Sequence, residues 1–335
     1  MKKVHVVLVV IALSLVLLPS AFSGTNDHHM RVGFYSDKCV QVEFIVANMV
    51  ARAFFKDPGV AAGLIRLFFH DCFVKGCDAS ILLDSTPSGE PVEKDSPANG
   101  KSLRGLQLID DIKAQIERQC PETVSCADIM AFAAREAIFL SGLPYHPVRA
   151  GRRDSRTSRA ADVYGNLPIP MMSVEDLTKL FESKGLTIED LVVLSGAHSI
   201  GKVHCIMFNY RLNLSSDDPY NPPMEPSYAA YLRKRCNRPN LKTDEEKEKV
   251  VVQFDPVSSF RLDTGYYSNL LKGRGLLQSD QALATDPQTS RIVSKMAVSP
   301  TSWSWKFVNA MIRLGDLNVL TGNEGHIRKN CRGTK

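Results

Sequence analysis

Residues 66–84 read RLFFHDCFVKGCDASILLD, and this stretch carries the most specific chemical pattern in the chain. Arg66 and His70 lie four residues apart, so their side chains share one face if the segment is helical. A fixed cation beside a near-neutral imidazole suits proton transfer combined with stabilisation of developing negative charge. The spacing therefore predicts a reactive pair on a helix, followed by a loop rich in oxygen-bearing side chains.

The N-terminal segment has the pattern of a secretory signal peptide. Two lysines precede an apolar run that is shorter than the ~20 residues needed to span a bilayer. The small residues of Ala21-Phe22-Ser23 then precede a polar sequence that begins at Gly24. We expect residues 1–23 to be removed as a signal peptide and residues 24–335 to be exported without a membrane span.

All eight cysteines follow this segment. An even number in an exported chain indicates four disulfides, although the sequence alone leaves 105 pairings open. Cys72 and Cys77 could close a short loop directly after His70. Zinc binding is the alternative, but the chain has no Cys-x-x-Cys pair and an oxidising compartment disfavours such a site.

The charge balance excludes a strongly basic nucleic-acid-binding protein. The formal net charge is +5, of which two charges belong to Lys2 and Lys3 in the leader. Without a basic stripe, this surplus does not indicate nucleic acid as a partner. It is compatible with weak association with an acidic polysaccharide.

Apolar spacing is mostly helical, and no Gly/Ser/Pro-rich linker divides the chain, which predicts a single, predominantly α-helical domain. Ser125 precedes Asp128 by three residues, like a capping box at the start of a helix, and Ser173 and Thr187 precede aspartates with the same spacing. The predicted helices include 41–56, 60–72, 103–119, 126–141 and one that carries an apolar stripe from Trp303 to Leu314. Long irregular loops are expected at 84–102, 145–170 and 212–226.

A second histidine, His198, follows an apolar helix in DLVVLSGAHSIGKVHC (190–205). The two motifs together resemble the distal-helix and proximal-ligand signatures of the secretory plant heme peroxidases, the class III peroxidase family. The resemblance runs from about Phe34 to Cys331. It implies an all-α heme peroxidase fold with four disulfides, in which a distal half (about 30–160) and a proximal half (about 161–331) sandwich one heme b.

On the proximal side, the resemblance implies that His198 is the axial iron ligand and that Asp280 accepts the other imidazole N–H. It also places Phe69 and Ser102 beside the heme.

On the distal side, the resemblance implies that His70 is the general base and that Arg66 stabilises developing charge. Asn99 would accept the Nδ1–H of His70, and Glu93 would position Asn99.

Two calcium sites are expected, because hard oxygen donors cluster beside both histidines. The distal set comprises Asp71, Asp78 and Ser80, the carbonyls of Val74 and Gly76, and the neighbouring Glu93. The proximal set, implied by the resemblance, comprises Ser199, Asp255, Ser258, the carbonyl of Arg261, and Asp263.

The resemblance also selects one disulfide pairing and one structural ion pair. The implied disulfides are Cys39–Cys120, Cys72–Cys77, Cys126–Cys331 and Cys205–Cys236. Asp128 and Arg152 match a buried ion pair of the family. Asn213-Leu214-Ser215 is a possible N-glycosylation site of an exported protein.

Two hypotheses for the function follow. The first is an extracellular, monomeric peroxidase of the cell wall (apoplast) that reduces hydrogen peroxide to water while oxidising phenolic donors by one electron each. Pro168 would bind the donor, and the activity would serve phenolic or lignin polymerisation, peroxide detoxification and the response to oxidative stress. The alternative is a catalytically weak protein of the same fold that binds acidic cell-wall polysaccharide.

Overall fold

The computed structural model describes residues 30–99, 102–213, 222–237 and 243–334. The predicted signal peptide at 1–23 lies outside these residues. Within them the chain forms twelve α-helices, one two-stranded ribbon and several short 3₁₀ turns.

The helices are α1 (Val42–Lys56), α2 (Val60–Val74), α3 (Leu106–Glu117), α4 (Cys126–Leu140), α5 (Val174–Ser183), α6 (Ile188–Ser195), α7 (Pro226–Cys236), α8 (Asp244–Glu248), α9 (Gly265–Leu271), α10 (Gln278–Thr285), α11 (Ser290–Ala297) and α12 (Pro300–Gly315). The ribbon pairs β1 (Lys202–His204) with β2 (Val251–Gln253) in antiparallel register, with Val203 opposite Val252. The predicted all-α class is therefore confirmed, apart from two strands too short to give a period-2 signal.

Helix α2, which carries Arg66 and His70, packs against α4 and α12. The predicted apolar stripe on α12 is confirmed, because Trp303, Phe307 and Leu314 are fully buried. Each such side chain contributes roughly 1.5–3 kcal/mol by leaving water. Replacing Trp303 by alanine would therefore cost about 3–5 kcal/mol, with the cavity included. The reactive helix is thus held by the main core.

The start of α4 shows how tertiary contacts override a local pattern. Ser125 accepts a hydrogen bond from the Asp128 backbone N–H at 3.1 Å, as an N-cap should. However, the Asp128 carboxylate does not complete a capping box, because it accepts from Arg152 Nη1 at 2.9 Å and from the Tyr35 hydroxyl at 2.7 Å. A buried guanidinium is a stronger partner for a buried carboxylate than a helix-terminal N–H. The predicted ion pair is therefore confirmed and the capping box is wrong.

All four predicted disulfides are present: Cys39–Cys120, Cys72–Cys77, Cys126–Cys331 and Cys205–Cys236. The third bond joins the start of α4 to the C-terminal segment. Nearby, buried Arg328 donates from Nη2 to the Ala79 carbonyl at 2.6 Å. The C-terminal segment therefore packs beside the loop that follows α2.

None of the helices in the described part of the chain is long and apolar enough to cross a bilayer.

Candidate active site

One ridge of α2 carries the distal residues. Ala62, Arg66 and His70 are spaced by four, so they follow each other along one side of the helix. His70 Nδ1 lies 2.6 Å from the side-chain oxygen of Asn99. Because an amide oxygen only accepts, Nδ1 carries the proton and the lone pair is on Nε2. Among the described residues, no hydrogen bond reaches this Nε2, so it is available as a base.

Asn99 is fully buried and is held at both ends of its amide. Its Nδ2 donates to the main-chain carbonyl of Glu93 at 2.5 Å, which fixes which end faces His70. We expected the Glu93 side chain to position Asn99, but the contact uses the main chain. The Glu93 carboxylate is thereby left for another partner.

The electrostatic environment keeps His70 neutral. Burial lowers the pKa of His70 to about 3, and the nearby Arg66 charge acts in the same direction. Arg66 itself contacts Ser102 Oγ and the Asn99 carbonyl, both at 3.4 Å. An imidazole that stays unprotonated at neutral pH beside a fixed cation is suited to accept a proton while the cation stabilises the resulting anion.

Phe69, adjacent to His70, is fixed by aromatic packing. Its ring stacks on Phe73 with centroids 4.2 Å apart, and Phe73 in turn contacts Phe181 of α5 at 4.9 Å. The ring is partly exposed, and its centroid lies 6.2 Å from that of the His70 ring. It therefore forms a rigid wall beside the imidazole.

His198, the predicted iron ligand, lies in a 3₁₀ turn, Gly196–Ser199, directly after α6. Helix α6 begins at a complete capping box between Thr187 and Asp190, as the sequence predicts. His198 Nδ1 lies 2.9 and 3.2 Å from the two carboxylate oxygens of Asp280. The carboxylate accepts, so Nδ1 carries the proton and Nε2 keeps its lone pair. Among the described residues, this Nε2 also has no hydrogen-bond partner.

Two aromatic residues that the sequence analysis missed complete the His198 environment. Phe254 stacks on the His198 ring with centroids 4.3 Å apart and an angle of 2° between the planes. The Tyr266 hydroxyl donates to Asp280 at 2.9 Å, and burial followed by the Asp280 charge raises the Tyr266 pKa well above its ordinary value. The signal for Phe254 was its position next to Asp255, which was already predicted to lie near His198.

The two histidine segments are neighbours. A methyl group built on Gly201 would lie 3.0 Å from the Cβ of Ala62, on the same α2 ridge as Arg66 and His70. An imidazole held by a buried carboxylate and free at Nε2 is the donor that heme peroxidases use for iron. The residues present therefore fit a heme between α2 and the His198 segment.

Comparisons with known proteins identify the family of the chain. A sequence model of the peroxidase family matches residues 46–299. The chain is 46% identical to Peroxidase 5 of Vitis vinifera over 323 residues, which cover 96% of each chain. It is 44% identical to Peroxidase 1 of Zea mays over 327 residues, covering 96% of this chain and 87% of the other. It is 43% identical to Peroxidase 57 of Arabidopsis thaliana over 317 residues, or 94% of each.

The chain belongs to the peroxidase family. It is therefore an enzyme of the peroxidase class, and the hypothesis of a catalytically weak polysaccharide-binding protein is not favoured. The family implies heme and typically calcium.

This peroxidase buries a cluster of acidic side chains in residues 71–80, which comprise the last turn of α2 and the loop that follows it, together with Glu93. Residues 71–80 are here called the distal calcium loop, after the calcium site predicted there. Asp71, Asp78 and Glu93 are at most 5% exposed. Burial, followed by the two neighbouring carboxylates, raises the pKa of Asp71 well above its ordinary value. Burial raises the pKa of Glu93 to about 8, and its Oε2 has no hydrogen-bond partner in the described residues. Arg328 lowers the pKa of Asp78 and Lys75 lowers that of Glu93, but burial is the larger effect on both carboxyl groups, so a bound cation would stabilise the ionised cluster.

The geometry of this loop favours a mixed oxygen donor set. Among the described residues, no three His, Cys, Asp or Glu side chains converge closely enough to hold a metal alone. A cation here would also need carbonyl or hydroxyl oxygens, which calcium accepts. Gly76 has φ 140°, and a Cβ there would lie 2.3 Å from the Asn318 carbonyl oxygen, so only glycine fits this turn.

The predicted proximal oxygens also cluster. Ser258 Oγ donates to Asp255 at 3.4 Å, and the Asp263 backbone N–H donates to Ser199 Oγ at 3.3 Å. A methyl group on Gly265 would lie 2.5 Å from Asp255 Oδ2 and 2.8 Å from Asp263 Oδ1. Glycine at this position therefore leaves open the space where the two carboxylates meet. The Arg261 side chain is exposed, which is compatible with a role for its carbonyl alone.

Pro168 lies in residues 166–171, here called the donor loop. Pro168 is partly buried, whereas Ile169 and Met171 are exposed. The Pro170 carbonyl accepts from the Ser279 backbone N–H at 2.9 Å, one residue before Asp280. The donor loop is thereby attached to the helix that supports His198.

Asn213 ends a 3₁₀ turn, and the rest of its predicted glycosylation site lies outside the described residues.

Proposed function

We propose that this peroxidase binds one heme b between α2 and the His198 segment and uses hydrogen peroxide to oxidise small phenolic donors. One observation carries the proposal: two imidazoles on neighbouring segments are held in the same tautomer, His70 by Asn99 and His198 by Asp280. Each leaves Nε2 without a partner in the described chain. The free Nε2 of His70 suits a base, and that of His198 suits an axial iron ligand.

His198 would hold the iron through Nε2. The Asp280 carboxylate, which accepts from Nδ1, makes the imidazole a stronger electron donor. Phe254 and Tyr266 restrict the ring and the carboxylate, respectively. A heme bound here would supply the redox chemistry by which two donors, each giving one electron, reduce one molecule of peroxide.

On the distal side, His70 Nε2 would accept a proton from one oxygen of hydrogen peroxide and deliver it to the other, which would leave as water as the O–O bond breaks. This cleavage requires two electrons, which would come from a bound heme. Arg66 would stabilise the negative charge that develops on the departing oxygen. Asn99 would keep Nδ1 protonated throughout, so that Nε2 alone exchanges the proton. Phe69 would limit access of bulky molecules to this space.

Phenolic donors would bind at the donor loop. The Pro168 carbonyl would accept a hydrogen bond from a phenol, and the exposed Ile169 and Met171 would contact its ring. Phenolic radicals released there would couple with each other, so the physiological outcomes we propose are polymerisation of cell-wall phenolics or lignin and peroxide detoxification.

Calcium is proposed at both oxygen clusters. The distal ion would bind Asp71, Asp78, Ser80 and the Val74 and Gly76 carbonyls, near Glu93. The proximal ion would bind Ser199, Asp255, Ser258, the Arg261 carbonyl and Asp263. Each site would include the residue that directly follows a reactive histidine, Asp71 or Ser199. The bound ion would therefore restrict the movement of that segment.

We also propose export to the apoplast as a monomer. The leader-like residues 1–23 support export, and the four disulfides fit an oxidising compartment. A glycan at Asn213 and contact with acidic wall polysaccharide remain predictions. The exposed basic turn at the end of α7, with Arg233 and Lys234, supports the second of these.

The test is the visible spectrum of the purified protein with heme, before and after stoichiometric hydrogen peroxide, followed by addition of a phenol. We expect a high-spin Soret band that peroxide changes and that two equivalents of phenol restore. A protein that retains no heme, or whose Soret band does not respond to peroxide, would overturn the proposal. The His198→Ala variant should retain heme much more weakly than the parent.

A further inference from the structure

We infer that Lys184 couples the distal calcium loop to the donor loop, so that calcium occupancy sets the affinity for the phenolic donor. This inference rests on the proposed function, because it takes calcium and a phenol as the two ligands. It concerns Lys184 as a positioning residue, because Lys184 belongs to neither ligand set proposed above.

Lys184 lies directly after α5, and its partly buried ammonium spans the two loops. It donates to the carbonyl of Val74, the last residue of α2, within the distal calcium loop, at 3.3 Å. It also donates to the side-chain oxygen of Asn166, the first residue of the donor loop. One cation therefore contacts both loops.

At one end of the link through Lys184, bound calcium would fix the position of the Val74 carbonyl. A main-chain carbonyl has two lone pairs, so Val74 can accept from Lys184 and still bind a calcium ion. Val74 is 2% exposed, and the adjacent Phe73 ring contacts Phe181 of α5 at 4.9 Å. Helix α5 is thereby held beside this carbonyl, which keeps Lys184 within reach.

At the other end of the link, a second hydrogen bond orients the Asn166 side chain. Asn166 Nδ2 donates to the Asp162 carbonyl at 2.9 Å, so its Oδ1 faces Lys184. The next residue, Leu167, is buried, and Pro168 follows it. A displacement of Asn166 would therefore be transmitted to the proposed phenol acceptor within two residues.

A parallel link exists but is weaker. Lys75 lies 3.4 Å from Asp162, but its side chain is 56% exposed. Exposed ion pairs of this kind contribute little. Of these two links between described residues, the one through Lys184 is therefore the stronger.

Calcium would hold the Val74 carbonyl, and with it Lys184 and Asn166, in the arrangement that places Pro168 for the donor. Without calcium, the carbonyl can move and the donor loop loses this anchor. Coupling between two binding sites is reciprocal, and typical values correspond to changes in affinity of roughly 5–150-fold. The donor should therefore bind at least about 5-fold more tightly to the calcium-loaded protein, and calcium should bind more tightly by the same factor with the donor present.

The experiment measures the dissociation constant of ferulic acid for the heme-loaded protein by calorimetry, without peroxide, after calcium saturation and after chelation. In the parent, the dissociation constant after chelation should be at least about 5 times the value after calcium saturation. In Lys184→Met, this ratio should fall to about 1. Lys179→Met is the matched control on α5, because Lys179 is exposed and pairs only with Glu175 among the described residues. It should retain the parent ratio.

A chelator empties both calcium sites, but the comparison with Lys184→Met isolates the contribution of the link. Asn166→Ala removes the other end of the same link and should also bring the ratio to about 1, which provides a test if Lys184→Met does not fold. A parent that binds calcium and ferulic acid with a ratio near 1, or variants that retain the parent ratio, would overturn the inference alone. A parent that binds no calcium would overturn the proposed calcium sites and this inference together.

Discussion

The Asn99 amide joins His70 to the main chain at Glu93: its Oδ1 lies 2.6 Å from His70 Nδ1, and its Nδ2 lies 2.5 Å from the Glu93 carbonyl. The tautomer of the distal imidazole is therefore set by backbone geometry. The same residue, Glu93, directs its carboxylate toward the acidic cluster. The base and the proposed calcium site thus share one short segment.

Replacing His70 by alanine should slow the reaction with hydrogen peroxide by about 10²–10⁴-fold, because the proton acceptor is lost. Heme binding should persist, since His198 and Asp280 are unchanged. Stopped-flow absorbance of the heme-loaded variant measures the rate. His204→Ala is the matched control, because His204 lies in β1 and contacts the Glu248 carbonyl. A His70→Ala variant as fast as this control would refute the assignment of the base.

Replacing Asp280 by asparagine should keep the hydrogen bond from His198 but remove the negative charge. The iron reduction potential should rise, and activity should fall roughly 10–100-fold, as is typical when such a partner is lost. Spectroelectrochemistry measures the potential. Tyr266→Phe should shift the potential in the opposite direction, because it removes a competing donor to the same carboxylate. Equal potentials in Asp280→Asn and the parent would contradict this role.

The calcium-free protein should lose stability as pH rises from about 4.5 to 8. Glu93 has a pKa of about 8 in the folded protein against an ordinary value of 4.5. In this window the folded state keeps a proton that the unfolded chain releases, so the free energy of unfolding falls with increasing pH. Scanning calorimetry with a chelator measures this slope.

The matched variant for that experiment is Glu93→Gln, which should flatten the pH dependence relative to the parent. Saturating calcium should also reduce it, since the ion would stabilise the ionised cluster. If the parent and Glu93→Gln had the same slope without calcium, the titration of Glu93 would not be the cause.

Replacing Gly265 by alanine should eliminate the proximal calcium site. The added methyl group would lie within 2.8 Å of carboxylate oxygens of both Asp255 and Asp263. Because Gly265 is the first residue of α9 and has no positive φ, alanine brings no backbone strain and favours the helix. Metal analysis should find about one fewer bound calcium per chain. Gly333→Ala, which adds a methyl group in open space, should retain the parent content.

The sequence predicted the parts of this molecule that depend on local patterns. Helix positions followed from apolar spacing and N-caps, and the capping box at Thr187 and Asp190 formed as expected. The motifs around His70 and His198 were sufficient to indicate the family, which in turn implied the disulfides. The oxygen-rich loop after His70 was visible because its donors are adjacent in sequence.

The parts that were missed depend on long-range contacts. Tyr266 reaches Asp280 across 14 residues, and Phe254 reaches His198 across 56. Neither contact has a spacing that a helix or strand would repeat. The Asp128–Arg152 contact also spans a long stretch of sequence, and it was predicted only because the family resemblance implied it.

The position of the C-terminal segment has a consequence for biosynthesis. The Cys77 N–H donates to the Leu317 carbonyl at 3.1 Å, and Gly76 lies directly against Asn318. A ribosome that has made only the first 316 residues has already produced every proposed catalytic group and calcium ligand. The turn at Gly76 nevertheless lacks its packing partners until Leu317 and Asn318 emerge. A nascent chain should therefore acquire the distal calcium ion only at the last stage of folding.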